Sequence, residues 1–330
     1  MTVWTSLTLD EINDWLMAHH FHQAKVMRPV EQGVEDSVYA LLLENDVRVC
    51  LRLYERTEPT GAFELTMRLV SKGLAACAPL SDGKGNVLGT LKGKPAALFP
   101  WVEGRWRRNP ALSQIAEMGL FLGRMAEYTE EISQGWHCPN PRGRDWFHAI
   151  AGKLLPLLEK EEQAFLVQEI AVQTGFWWTG KRLEGIAYGP IHGDLFRNNV
   201  LFGKTGSLSG VLDWGFCAQD EPLIYDLAIA ANDWCLASDG IALDPLKLKT
   251  LLVARETIVP LTPQERAAWP MALRLAALRF YLSRKHDALC PRAIDAGKTL
   301  DSRVFEAILW DRIKTPYPLP QTFESAPLAR

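Results

Sequence analysis

Four polar side chains fall within 20 residues in an order that chemistry can use: Asp194, Arg197, Asn199 and Asp213, with His192 just ahead of them. Asp194 and Asn199 are five apart, and Asp213 lies fourteen beyond Asn199. The runs 199–202 and 208–212 flank Gly203-Lys204-Thr205-Gly206, which predicts a β-hairpin. One carboxylate then sits on the loop entering the hairpin, and the other where its second strand leaves. Phosphoryl transfer from a magnesium nucleotide needs such a set. One aspartate accepts the proton of an acceptor hydroxyl, while an amide and a second aspartate hold the metal, all fixed by backbone. Taken singly, His192, Asp194 or Asn199 reads as a loop or helix-capping residue. Their order together is what points to chemistry.

The elements that must position them fall into two blocks. Extended patterns occupy 25–30, 37–43 and 47–54, with Glu44-Asn45-Asp46 as a turn, and return at 88–91 and 95–99. Between the first two strands, the segment 31–37 with its single Gly33 reads as a loop. A helix is expected over 60–72, and Thr8 with Glu11 has the spacing of a capping box for an earlier one. The cluster His19-His20-Phe21-His22 has no acidic or cysteine neighbour and reads as a helix end, not a metal site. Phe99-Pro100-Trp101-Val102-Glu103-Gly104 is a short extended crossing, and the domain boundary is placed near Glu103, giving units 1–103 and 104–330. Beyond it the periodicity is helical: 110–128 with Pro110 in its first turn, 145–158, 161–174, the strongly apolar 223–235, 245–259, 263–283 and 300–313. Phe176-Trp177-Trp178 reads as core, and the proline-rich tail after Pro316 as loosely held. The fold class is α+β: a small antiparallel sheet with a helix, then a mainly helical lobe.

Composition narrows the partners. A chain of 330 residues with 48% hydrophobic content can bury a large core without staples. A net charge of −3, with both signs mixed along the chain, provides no basic field for nucleic acid or a membrane surface. The six cysteines are dispersed and read as buried thiols in a reducing compartment. No signal-like N-terminus is present, and no apolar run approaches the ~18 residues of a membrane span. A cytoplasmic protein is expected, with oligomeric state left open.

The pattern His192-Gly193-Asp194-Leu195-Phe196-Arg197-Asn198-Asn199-Val200-Leu201-Phe202, followed by Asp213-Trp214-Gly215, resembles the catalytic core of the protein-kinase-like phosphotransferases, and within them the type II homoserine kinases. The likeness extends from about residue 28 to 312 and includes Gly33-Val34-Glu35-Asp36-Ser37, Asn140-Pro141-Arg142-Gly143, Asn232-Asp233-Trp234-Cys235 and Ala277–284. It implies a bilobal fold, ATP and Mg2+ as cofactors, an amino-alcohol acceptor such as L-homoserine and a place in threonine biosynthesis. It further implies that the Gly33 loop covers the phosphates and that Pro100, Trp101 and Val102 offer backbone groups to adenine. Arg52 stands where the family carries a phosphate-gripping lysine, with Glu64 either its partner or a solvated helix residue. Asn199 and Asp213 are the expected metal ligands and Asp194 the proton acceptor, with Arg197 beside the transferring phosphoryl group. Asn232 and Asp233 suit an ammonium group, while Arg279 and Arg284 suit a carboxylate. Asp226 is expected to be structural. Arg52, Gly193 (for alanine) and Trp214 (for phenylalanine) depart from the homoserine kinase pattern. Choline, ethanolamine or aminoglycoside kinases and a nucleotide-binding pseudokinase are the alternatives.

Overall fold

β-branched residues and alternating patterns crowd the first hundred positions, helix formers dominate the rest, and the computed structural model separates the two in space. It describes residues 4–30, 36–55, 59–290 and 301–321. The first helix, α1 (Leu9–Ala18), opens on the expected capping box, with Thr8 Oγ1 accepting from the Glu11 N–H and Glu11 accepting from the Thr8 N–H. Such caps are worth about 0.5–2 kcal/mol. There follow β1 (Ala24–Pro29), β2 (Ser37–Leu43), β3 (Arg48–Leu53), α2 (Thr60–Ser71), β4 (Gly89–Leu91) and β5 (Lys94–Pro100). The strands make one antiparallel sheet in the order β1-β2-β3-β5-β4. Along β3, Val49, Leu51 and Leu53 point into the core shared with α1, so the period of two turns Arg52 to the opposite face.

The helical part contains α3 (Leu112–Glu127), α4 (Thr129–Ser133), α5 (Arg144–Leu154) and α6 (Lys160–Trp177). Next come β6 (Tyr188–Ile191), β7 (Val200–Phe202), β8 (Leu208–Val211) and β9 (Ala218–Pro222). Four more helices close the chain: α7 (Leu223–Trp234), α8 (Pro245–Glu256), α9 (Pro263–Leu289) and α10 (Ser302–Lys314). A helix apolar on every side must be buried on every side. Accordingly α7 is enclosed from Ile224 to Asn232 and packs on α9 and α3. Trp234, Trp269 and Tyr281 are the largest side chains sealed in this core, which also takes up Phe176, Trp177 and Trp178.

The expected hairpin forms, as β7 on β8 with Val200 opposite Val211. It is stitched on both sides. Phe202 and Arg105 exchange two backbone hydrogen bonds of 3.0 Å, and Val211 bonds the backbone of Ala75 and Cys77 at 2.6 and 3.1 Å.

Several elements depart from expectation. Pro110 precedes α3, whose cap is Ala111; the Gln114 side chain accepts the Ala111 N–H at 3.0 Å and so starts the helix later. The ribbon of β6 and β9 has no alternating signal in sequence, because one strand contains Gly189-Pro190 and the other Asp220-Glu221. The stretch after Pro316 is tied down as far as described: Tyr317 Oη accepts from the Leu243 N–H, and the Pro320 carbonyl accepts from Arg266. All six cysteines are thiols, but only Cys217 and Cys235 are fully buried. Among the described residues, no helix is long and apolar enough to cross a membrane, and no group of three or more His, Cys, Asp or Glu could hold a metal by itself.

Candidate active site

The loop 192–199 leaves β6 and is fixed from below by α7. Asp226 accepts the backbone N–H groups of His192 and Gly193 at 2.5 and 2.9 Å. Burial pushes the Asp226 carboxyl above its usual range, against the opposing effect of His192 and the two amides. The Asp194 N–H donates to His192 Nδ1 at 3.1 Å, which leaves the ring proton on Nε2 to be donated to the Leu212 carbonyl at 2.8 Å. The buried imidazole therefore pins the loop to the exit of the hairpin, with its ring against Trp214 at 4.5 Å. Trp214 is accommodated as core, its indole N–H donating to the Val211 carbonyl at 2.9 Å. Gly193 has φ +76°, and a Cβ there would stand 2.4 Å from the Phe216 carbonyl oxygen. The left-handed turn and the close approach both require glycine.

Asn199 donates through Nδ2 to the Asp194 carbonyl at 2.8 Å and to Asp194 Oδ2 at 3.1 Å, so its Oδ1 takes no part in these bonds. Asp194 Oδ1 in turn accepts from Arg279 Nη1 at 3.3 Å. At the same open end of the hairpin, where the Leu212 N–H donates to the Asn199 carbonyl at 2.7 Å, Asp213 adopts a left-handed backbone (φ +57°), and its Oδ1 accepts from Arg52 Nη2 at 3.1 Å. Arg52 also donates from Nε to Asp36 Oδ2 at 2.7 Å and lies over the Tyr54 ring at 5.0 Å. Burial opposes its charge, but Asp213 and Asp36 beside it hold the guanidinium above its ordinary range. The amide Oδ1 and the Asp213 carboxylate are hard oxygen donors of the kind Mg2+ takes, and a pair is what that ion uses when phosphate oxygens complete its shell.

Of the residues expected from sequence, the structure brings together Asp194, Asn199 and Arg279 on one side, and Arg52 with Asp213 on the other. Gly33 lies outside the described residues. Glu64 is not Arg52's partner; it pairs with Arg68 one turn along its own helix, where two surface side chains meet at i,i+4 spacing. Pro100 ends β5, the Trp101 N–H donates to the Arg48 carbonyl at 3.2 Å, and Val102 packs on Gly210 of the hairpin. Arg197 and Asp233 occupy each other: Nε and Nη2 donate to the two carboxylate oxygens at 2.9 and 3.0 Å, and the Arg197 N–H adds a third bond at 2.8 Å. Asn232 is enclosed, donating to the Leu273 carbonyl at 2.9 Å and accepting from Arg312 Nε at 2.7 Å. Arg284 pairs with Asp287 at 3.6 Å on the outer turns of α9. Sequence reading passed over Asp36, the anchor of Arg52, although it stands in the quoted 33–37 segment. It also passed over Phe216, Glu221 and Tyr225, which have no motif of their own.

A small sheet and a helical body, joined by one extended crossing and sharing a hairpin flanked by an amide and a carboxylate, define a protein-kinase-like phosphotransferase. Comparison with known proteins agrees. The family model described as "Phosphotransferase enzyme family" matches residues 26–256. A homoserine kinase of Cupriavidus necator is 34% identical over 323 residues, which are 95% of this chain and 96% of that protein. The chain belongs to this phosphotransferase family, among its homoserine kinases. Solved structures share the fold at low identity. An amicoumacin kinase in complex with AMP-PNP, Ca2+ and Ami superposes with a TM-score of 0.69 at 15% identity, covering 94% of each chain. A microcompartment-associated aminopropanol kinase gives 0.66 at 15% identity, covering 92% of this chain and 98% of its own.

Proposed function

We propose that this protein transfers the γ-phosphoryl group of ATP to the side-chain hydroxyl of L-homoserine. The observation that carries the reading is the single network in which Asp194 is bonded both to Asn199, a metal-ligand type, and to Arg279, a carboxylate-binding type. Asp194 accepts the hydroxyl proton, and Arg279 and Asn199 keep its carboxylate aimed. Asn199 Oδ1 and Asp213 would hold Mg2+, which would supply positive charge to the transferring phosphoryl group. Arg52, already beside Asp213, reaches phosphate oxygens with its fork of donors. Residues 100–102 would offer backbone groups to adenine. Arg197, locked on Asp233, holds the catalytic loop to α7. With a division near Glu103, the nucleotide would bind between the two parts.

The test is magnesium-dependent ADP formation over an acceptor panel of L-homoserine, choline, ethanolamine and an aminoglycoside. L-homoserine should have the highest kcat/KM. ADP formation driven best by another acceptor would replace the substrate assignment, and none with any acceptor would favour a nucleotide-binding role.

A further inference from the structure

Homoserine carries an ammonium group beside its carboxylate, and the acid expected to meet it, Asp233, is fully engaged by Arg197. Asp226 serves two backbone amides, and Asp194 and Asp213 each serve an arginine. One acidic group in this corner remains. Glu221 lies on β9 opposite Gly189, half-buried, and its side-chain partner among the described residues is Asn140 of the 139–143 loop. No cation pairs with it among the described residues. Burial pushes its carboxyl up to about 7, the Asn140 hydrogen bond opposes this, and the Asp226 charge adds to it. A half-buried carboxyl without a cation is a site that gains most from receiving one.

A second observation marks the same corner. Tyr225, on the first turn of α7, is 4% exposed, yet its hydroxyl has no hydrogen-bond partner. Buried hydroxyls are nearly always bonded, so an orphan next to a catalytic group points to a missing ligand. The charges of Arg279, Glu221, Asp226 and Asp194 all act on this phenol. The Arg279 guanidinium carbon lies 4.0 Å from the ring centroid of Phe280 and 4.9 Å from that of Phe216, and the side chain bonds Asp194 through one of its five N–H donors, leaving others for a carboxylate.

We propose that Glu221, Tyr225 and Arg279 form the pocket for the amino-acid head of the acceptor, with Glu221 binding its ammonium, Arg279 its carboxylate and Tyr225 a hydrogen bond to the bound head. This rests on the homoserine reading above and names the residues that select an α-amino acid over a plain alcohol. Glu221 and Tyr225 are then specificity determinants that touch substrate without touching the transferred group.

The experiment compares L-homoserine with 4-hydroxybutyrate, which keeps the hydroxyl and the carboxylate and lacks the ammonium. Wild-type enzyme should prefer homoserine by about 100-fold or more in kcat/KM, because an unanswered buried polar group penalises the analogue. In Glu221→Gln, KM for homoserine should rise about 30-fold with kcat changed by less than about 3-fold, while 4-hydroxybutyrate changes little. Tyr225→Phe should show the same pattern at about 5-fold. In wild type, kcat/KM for homoserine should fall as pH drops below about 7, where Glu221 takes up its proton. The ratio of the two acceptors should follow it. A purely structural Glu221 would damage both acceptors alike. If Glu221→Gln melts, Glu221→Asp and the wild-type pH profile serve in its place. Retained discrimination in the variant, or parallel pH profiles, would overturn the pocket while leaving the kinase assignment standing. No phosphorylation of homoserine by wild type would overturn that assignment, and the pocket with it.

Discussion

Two arginine–aspartate pairs face each other across the site, and they differ in burial. Arg279 and Asp194 expose 3% and 16% of their side chains, whereas Arg52 and Asp213 expose 25% and 44%. The first guanidinium lies close to two aromatic rings and is almost fully enclosed. The second rests on one ring and a neighbouring carboxylate, and water reaches its partner. A buried charge pair fixes geometry, because separating it leaves an uncompensated charge in low dielectric. A solvated pair exchanges, because water and other ions can stand in for either member. The molecule therefore keeps Asp194 rigid and leaves the Asp213 carboxylate free to exchange partners.

The contrast can be broken hardest at its carboxylates. Asp194→Ala and Asp213→Ala should each lower kcat by about 10²–10⁴-fold in steady-state assays, with far-ultraviolet dichroism unchanged. Only Asp213→Ala should also weaken the response to added magnesium. A near wild-type turnover in either variant would remove the assignment. Next comes Arg52→Met, expected to raise KM for ATP about 10–100-fold, with Arg52→Lys intermediate because a point charge replaces a fork. Its effect on the melting temperature should be small, since the pair it breaks is solvated. Gly193→Ala sharpens the comparison from the rigid side. The positive φ and the 2.4 Å approach to the Phe216 carbonyl should cost about 1–3 kcal/mol by thermal melting and reduce kcat as the loop shifts. The smallest effect belongs to Glu64→Gln: no change in KM for ATP, and under about 0.5 kcal/mol in stability, because Glu64 meets only Arg68.

Much of this was legible in the chain. Alternation at 37–43 and 47–54 found the sheet, the glycine-bounded turn at 203–206 found the hairpin, and the all-round apolar 223–235 found the enclosed helix, because each pattern is local. Order and spacing singled out Asp194, Asn199 and Asp213, and likeness to known kinases singled out Arg52 and Arg279. What stayed hidden depends on partners distant in sequence. Arg197 and Asp233 are 36 residues apart, and nothing in either segment says that they neutralise each other. Asn232 sits in a family motif, but its amide is taken up by Arg312, 80 positions away. Glu221 lies in a ribbon whose glycine, proline and acids erase the strand signal, so neither its element nor its burial could be read.

The doubly stitched hairpin has a mechanical consequence. Backbone hydrogen bonds hold it to residues 75–77 on one flank and to Arg105 on the other, so it is joined to the chain on both sides of the crossing. A strip tied on both flanks resists being peeled away from either neighbour. Its open end is closed as well, by the Leu212 N–H on the Asn199 carbonyl at 2.7 Å, so the backbones that carry Asn199 and Asp213 are fastened to each other.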